Sequence, residues 1–163
     1  MKSEISVRPS ELSDASYLKE SLMAPDVLQW FPMADEREID DAVRIWIGYS
    51  KWKAGLTALW NGVPCGFSVL YLHPYKKIAH QCLFGVVVRS GYQGKGVGTR
   101  IIEETIKLAK ESFKIEVLHL EVYQNNPAKR LYERMGFSEY GFDKDFLKID
   151  GQYVGKICMQ KLI

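Results

Sequence analysis

Cysteine is scarce in this sequence, and the spacing of the few cysteines argues against several kinds of site. The 163 residues include three cysteines, Cys65, Cys82 and Cys158. They lie far apart and form no Cys-x-x-Cys pair, which argues against a zinc site and against a redox motif. Their odd number also argues against a closed set of disulfides. We therefore expect all three to be small core residues.

Long apolar runs and an excess of charge of one sign are also missing. No run approaches the roughly 18–20 residues that a membrane helix needs, and Met1-Lys2-Ser3-Glu4 lacks the apolar segment of a signal peptide. The 22 basic and 20 acidic residues are spread along the chain, whereas nucleic-acid-binding proteins usually concentrate positive charge on one face. We expect a cytoplasmic protein that binds neither membranes nor nucleic acids.

The composition that remains is that of a globular domain. Hydrophobic residues make up 47% and charged residues 26% of the chain, and its length suits one domain over residues 1–163. Strand and helix patterns alternate without an internal repeat or linker, which predicts an α/β or α+β fold.

Local signals predict the helices of the first half. Ser13 is expected to cap a helix that runs to about Met23. Pro25 is expected to open an apolar loop. A second helix is predicted after Asp35, since apolar residues recur there at helical spacing.

Turn signals predict the strands. Asn61-Gly62 favours a type I′ turn between two strands, and Asp150-Gly151 favours a second hairpin near the end of the chain. The segment Gln81–Val88 is apolar nearly throughout, which predicts a central strand buried on both faces.

A glycine-rich turn, residues 93–99, lies between that strand and a long amphipathic helix. The first amides of a helix have no partner within the helix, and the helix dipole is positive at that end. Glycines let the backbone approach a ligand closely, so the turn predicts a diphosphate site. Its spacing fits neither a P-loop nor the dinucleotide fingerprint. A glycine-rich connection without a ligand is the alternative.

A second motif extends from Leu120 to Phe137. It is a strand followed by Asn-Pro-Ala-x-x-Leu-Tyr-Glu-x-x-Gly-Phe, with Asn126 predicted as N-cap, Pro127 at the first helical position and Gly136 as left-handed C-cap. This block, together with Gln-x-x-Gly-x-Gly at residues 93–98, resembles the GNAT acetyltransferase superfamily. Residues 148–154 resemble the branch that acetylates ribosomal-protein N-termini or polyamines.

The resemblance implies a fold, a reaction and a co-substrate. The expected fold is a single GNAT-like domain, with a central mixed, mostly antiparallel twisted sheet of about seven strands and about four helices. The expected reaction transfers an acetyl group from acetyl-CoA to a primary amine, on a peptide N-terminus or a small molecule, by direct attack in a ternary complex. No metal is implied. Dimers are common in the family, so a homodimer is compatible with the resemblance.

The resemblance also assigns residues to coenzyme A. The strand before the glycine turn pairs with the pantetheine arm and supplies amides for the oxyanion, whereas the turn holds the diphosphate. Asn126 belongs to the second motif, although a longer form of that motif would use Asn125. The residues so assigned are Val86, Val87, Val88, Gln93, Gly94, Lys95, Gly96, Val97, Gly98, Thr99, Asn125 and Asn126.

Acetyl transfer also needs a proton for the leaving thiolate and a neutral amine. The family's acid is the tyrosine of the Leu-Tyr pair, here Tyr132, and a phenol suits this role because it stays protonated at neutral pH. Packing beside the cofactor is the alternative for Tyr132. Glu121 matches the position of a base in some protein N-terminal acetyltransferases, and a solvated strand carboxylate is its alternative. His119 and His80 are weaker candidates for the base.

The acceptor side is less clearly indicated. Trp30 and Phe31 fall in a segment that shapes the acceptor site in this family, and they either line an apolar pocket or pack on the core. No acidic cluster selects a polycation. Two other functions remain open, a non-catalytic acyl-CoA-binding sensor or interaction module and, more remotely, a nucleotide-binding regulatory protein.

Overall fold

The structure of the chain is a computed structural model that describes residues 4–163. The expectation about a signal peptide falls largely on Met1, Lys2 and Ser3, which lie outside the described residues. The strands are β1 (Ile5–Pro9), β2 (Gly55–Trp60), β3 (Val63–Tyr71), β4 (Gln81–Val88), β5 (Val117–Tyr123), β6 (Ser138–Ile149) and β7 (Gln152–Leu162). The helices are α1 (Ala15–Met23), α2 (Pro25–Leu28), α3 (Glu36–Gly48), α4 (Val97–Phe113) and α5 (Ala128–Arg134).

All seven strands form one mixed sheet in the order β1-β2-β3-β4-β5-β7-β6. Every neighbouring pair is antiparallel except β4 and β5, which are parallel because α4 connects them. The sheet and the four helices of seven residues or more confirm the predicted fold class. Among the described residues, none of the helices is long and apolar enough to cross a membrane.

Helices cover both faces of the sheet, and β4 lies between the two helical layers. On one face, Ile101 and Ile102 of α4 pack with Leu118 of β5. On the other, Leu18 of α1 and Val43 of α3 pack on the side of the sheet that carries Val87. Because side chains alternate along a strand, β4 contributes to both cores.

The predicted turns are confirmed by their backbone angles. Asn61 and Gly62 have φ values of 47° and 84°, and Asp150 and Gly151 have φ values of 50° and 77°. Positive φ at both central residues is what a type I′ turn requires. Gly136 ends α5 with φ 93°.

Three predictions about the first half of the chain have different outcomes. Ser13 does not cap α1, because a 3₁₀ turn over Leu12–Asp14 precedes the helix and the Ser13 hydroxyl instead donates to Glu11 at 3.4 Å. Pro25 begins α2 rather than a loop, since proline suits the first turn of a helix. Asp35 does cap α3, and its side chain accepts from the Glu38 amide at 2.9 Å.

Two burial predictions are confirmed only in part. β4 is central, but its residues alternate between buried and half-buried along most of its length, since one stretch borders the cavity described below. Cys65 and Cys82 are buried core residues as predicted, whereas Cys158 of β7 is only half-buried and belongs to neither core cluster.

A buried carboxylate, Asp14, fixes the start of α1 against the sheet. Arg8 of β1 donates two hydrogen bonds of 2.8 Å to its two oxygens, and the Thr57 hydroxyl of β2 donates a third at 2.9 Å. The Asp14 side chain is 3% exposed. Burial acts to raise its pKa, but the bonds from Arg8, the Glu11 amide and Thr57 together lower it below the usual value.

We expect Asp14→Asn to lower the free energy of unfolding by about 2–3 kcal/mol at neutral pH, because it leaves Arg8 unpaired beside a buried amide. Since the folded-state pKa is lowered, the contribution of Asp14 is present above the unfolded pKa and is lost as pH falls through the folded value. Urea unfolding of both proteins at neutral and acidic pH measures this. Asp41→Asn, which removes an exposed ion pair with Arg44, is the control and should change little.

Candidate active site

The two parallel strands at the centre of the sheet diverge part-way along their length. Pairing between β4 and β5 runs from Gln81–Val117 to Leu83–His119 and then stops. β4 continues beside β3 as far as the pair Gly66–Val88. The second half of β4 therefore has a partner on one side only.

The gap opens into a cavity of about 620 Å³. Its walls come from β4 and β5, from the glycine-rich turn, and from residues of α2, α4 and α5 together with the segment after α2. It brings together most of the residues that the sequence predicted for the site. These are Trp30, Phe31, Val86, Val87, Val88, Gln93, Gly94, Gly96, Gly98, Thr99, Glu121, Asn126 and Tyr132.

Backbone direction separates the residues of β4 that face the gap from those that pair within the sheet. The Arg89 amide donates to the Cys65 carbonyl at 2.8 Å and so points toward β3. Successive strand residues direct their backbone groups to opposite sides, so Val87 also pairs with β3. Val86 and Val88 face the gap, and the Val88 carbonyl accepts from Gln93 Nε2 at 3.3 Å.

The glycine-rich turn leads into the seventeen-residue helix α4. Gly94 and Gly96 have φ values of 71° and 88°, which favour glycine. The Arg100 amide donates to the Gly96 carbonyl at 3.1 Å, which is the first bond of the helix. The amides just before it, including those of Gly98 and Thr99, have no acceptor within the helix. Both residues line the cavity, and free amides at a helix N-terminus are groups that can bind an anion.

Three residues assigned to the cofactor do not line the cavity. Val97 is 1% exposed and packs in the core. The Lys95 ammonium lies over the ring of Trp60 at 5.4 Å and that of Tyr92 at 5.9 Å from the centroids. Asn125 has φ 71° in the turn before α5. Any role of these three in cofactor binding stays a prediction.

Helix α5 places Tyr132 at the cavity. The helix begins at Ala128 with Pro127 at the N-cap position, one residue later than predicted, and the Asn126 side chain still accepts from the Ala128 amide at 2.9 Å. Tyr132 is 9% exposed and its ring meets that of Phe137 at 6.4 Å, edge to face. Burial raises the pKa of Tyr132 to about 12. The phenol is therefore a proton donor throughout the neutral range.

Glu121 lies on β5, on the face opposite Tyr132. Its Oε2 is 3.0 Å from the Lys156 ammonium of β7, and its side chain is 37% exposed. Its role as a general base stays a prediction. His119 shares its face but does not line the cavity. Burial, followed by the charges of His73 and His80, lowers the pKa of His119. These positions favour Glu121 over His119 as the group nearer to an acceptor.

Two charged residues at the cavity were missed by sequence reasoning. Asp26 of α2 accepts a 2.7 Å hydrogen bond from the Ser90 hydroxyl, and Arg134 lies at the last position of α5. Asp26 belongs to no recognisable local motif, and Arg134 lies at an unspecified position of the second motif. The regular spacing of α5 could have indicated Arg134, because it lies three residues after Leu131 and so shares a helix face with it, but only the fold brings Asp26 to the site.

A family model described as "Acetyltransferase (GNAT) family" matches residues 18–137. The chain belongs to this family. The match covers both motifs and the cavity that they form. The expected fold and family are thereby confirmed.

Individual relatives agree with this assignment. The L-amino acid N-acetyltransferase AaaT of Escherichia coli is 25% identical over 108 residues, which is 66% of this chain and 67% of that protein. A ribosomal protein bS18-alanine N-acetyltransferase of Haemophilus influenzae is 36% identical over 64 residues, 39% of this chain and 43% of that protein. The matched segment thus spans less than half of the second relative.

A solved structure shows the same fold over nearly the whole chain. The acetyltransferase yncA of Salmonella typhimurium, solved with its cofactor acetyl-CoA, superposes with a TM-score of 0.81 at 19% identity. The similarity covers 97% of this chain and 93% of that one.

Proposed function

We propose that this protein transfers an acetyl group from acetyl-CoA to a primary amine by direct attack in a ternary complex. One observation carries the proposal. The gap between β4 and β5 is continuous with the glycine-rich cradle at one end and holds Tyr132 in its wall. An elongated ligand with a diphosphate and a reactive thioester suits that shape.

The residues present fit coenzyme A. The cradle of Gly94, Gly96 and the first amides of α4 suits its diphosphate, because backbone N–H groups at a helix N-terminus bind anions. Val86 and Val88 have backbone groups on the open side of β4, where an extended pantetheine arm can pair with them. Arg134 adds a positive charge at the cavity wall that complements the phosphates.

Acetyl-CoA, when bound, supplies an acetyl thioester at the gap. An amide of the Val86–Val88 segment that the pantetheine arm leaves free donates a hydrogen bond where negative charge develops on the carbonyl oxygen. Tyr132 donates its phenolic proton to the departing sulfur. Glu121 lies on the opposite face, where it accepts a proton from the incoming amine, directly or through water.

The proposal also covers the domain organisation, the cellular location and the assembly state of the enzyme. Residues 1–163 form a single domain, and the protein acts in the cytoplasm as a monomer or a homodimer. The three unpaired cysteines support a reducing compartment. Light scattering of the purified protein measures its assembly state.

The test is a thiol-release assay with acetyl-CoA and a panel of amines that includes amino acids, short peptides, polyamines and aminoglycosides. We expect turnover with one class of amine. Calorimetry with acetyl-CoA alone runs in parallel. Tight binding without turnover on any amine would favour the sensor alternative, and absence of binding would overturn the proposal altogether.

A further inference from the structure

A lysine beside Glu121 is held in place by two contacts. Nζ of Lys156 lies 3.0 Å from Oε2 of Glu121 and 3.8 Å from the centroid of the Phe146 ring. The Lys156 side chain is 14% exposed, so it is largely withdrawn from water. Glu121 lines the cavity, whereas Lys156 does not. Any effect of this ammonium on the reaction therefore passes through the Glu121 carboxylate.

The partner of Lys156 is not the carboxylate that strand pairing places opposite it. In the register of β6 and β7, Asp143 stands directly opposite Lys156, and opposite charges at such positions attract each other. In the register of β5 and β7, Glu121 stands opposite Cys158, so it is only a diagonal neighbour of Lys156. Among residues 4–163, Lys156 nevertheless forms its ion pair with Glu121 and with no other carboxylate.

An irregularity in β6 provides a physical reason for this pairing. The register of β6 and β7 shifts between Asp143 and Leu147, where extra residues of β6 bulge out of the ladder. Phe146 lies in this bulge. Bulges redirect side chains and are frequent beside active sites. Here the Phe146 ring lies over the Lys156 ammonium, attracts it as a cation and holds it next to Glu121.

Stability is a weak reason for such an arrangement, because replacing a largely buried ion pair by apolar side chains is often neutral or stabilising. The ion pair does restrict Glu121, whose side chain is 37% exposed. A glutamate side chain loses considerable rotamer freedom when it is fixed in one conformation, so without a partner it would leave the cavity part of the time. Pairing through Oε2 leaves Oε1 to accept a proton from a bound amine.

We propose that Lys156 is a positioning residue for acetyl transfer, which fixes the Glu121 carboxylate at the acceptor side of the cavity and is itself fixed by Phe146. This inference rests on the proposed function, in which Glu121 takes a proton from the amine. Lys156 touches neither the amine nor acetyl-CoA. Its contribution is the orientation of the carboxylate, since small misplacements of a reacting group cost much of the rate.

A double-mutant cycle separates positioning from structural support. Its variants are Lys156→Met, Glu121→Gln and the two combined, and Lys156→Arg, Phe146→Leu and the control Lys148→Met complete the set. Both kcat and KM are measured with acetyl-CoA and with whichever amine of the panel above is turned over fastest. Lys148 also lies on the terminal hairpin over an aromatic ring, 5.7 Å from the centroid of Tyr153, but it neither lines the cavity nor pairs with Glu121.

We expect Lys156→Met to lower kcat by about 10-fold, a part of the roughly 100- to 10,000-fold that a positioned base contributes, and to leave KM for acetyl-CoA unchanged. In the Glu121→Gln background the same substitution should change kcat by less than about two-fold, because residues that act through one another are not additive. Lys156→Arg should restore part of kcat, since it keeps the charge. Phe146→Leu should cause a smaller loss that also depends on Glu121. Lys148→Met should match the wild type.

Losses that simply add in the double variant would overturn the inference, because a merely structural lysine acts whether or not Glu121 is present. A crystal structure of Lys156→Met provides a second readout that needs no turnover. We expect the Glu121 carboxylate to leave its wild-type position in that structure, and an unchanged carboxylate would also overturn the inference. Absence of turnover by the wild type with every amine would instead count against the proposed function itself.

Discussion

Replacing Tyr132 by phenylalanine should lower kcat for acetyl transfer by about 100-fold or more and leave the affinity for acetyl-CoA within a few-fold of the wild type. General acid catalysis contributes about this much to a reaction rate. Burial raises the pKa of Tyr132 to about 12, so the phenol keeps its proton at neutral and mildly alkaline pH. Steady-state kinetics and calorimetry on the same preparation measure both quantities.

The matched control for this variant is Tyr71→Phe. Burial, followed by the nearby Tyr49, also raises the pKa of Tyr71 to about 12, and its ring packs edge to face on Tyr49 at 5.5 Å. Tyr71 does not line the cavity. Equal losses of kcat in the two variants would show that the Tyr132 hydroxyl acts through packing. An unchanged kcat in Tyr132→Phe would show that Tyr132 is not the general acid.

The second large effect is expected for Gly96→Val, which should weaken acetyl-CoA binding by about 100-fold. Gly96 has φ 88° immediately before α4, and a β-branched residue avoids that conformation. An added Cβ would have only Ile5 near it, at 3.9 Å, so steric conflict within the protein is not the cause. The backbone itself must shift, and the amides that cradle the diphosphate shift with it. Isothermal titration with acetyl-CoA measures the loss.

Gly62→Val provides the control for backbone strain. Gly62 has φ 84° in the turn between β2 and β3, and an added Cβ would have no neighbour within 4 Å. Both variants should lose stability by about 1–2 kcal/mol, which urea unfolding measures. Only Gly96→Val should lose affinity for acetyl-CoA. Wild-type affinity in Gly96→Val would mean that the diphosphate binds elsewhere.

Features that depend on a few consecutive residues could be predicted from the sequence. The hairpin turns at Asn61-Gly62 and Asp150-Gly151, the start of α5 after Asn126-Pro127 and the glycine turn each rely on the backbone preferences of the residues themselves. The two family motifs likewise consist of residues that are close together in the sequence. Most of the residues that they assigned to the site line the cavity.

Predictions failed where a distant partner competes with the local signal. Ser13 is a good cap by type, but Asp14 beside it is drawn into bonds with Arg8 and Thr57, and the chain forms a 3₁₀ turn before α1. The apolar sequence of β4 predicted burial on both faces. Val86 and Val88 are instead half-buried, beside the gap that opens where β5 leaves β4 after Leu83.

The family, the order of elements, the glycine-rich turn before α4 and the presence of Tyr132 in the second motif could all be inferred from the sequence, because each depends on short-range backbone geometry or on adjacent residues. The tertiary structure decided the divergence of β4 and β5 and the positions of Asp26 and Arg134. It also decided the pairing of Glu121 with Lys156, which are 35 positions apart in the chain. Sheet pairing brings these groups together, and no local pattern encodes that pairing.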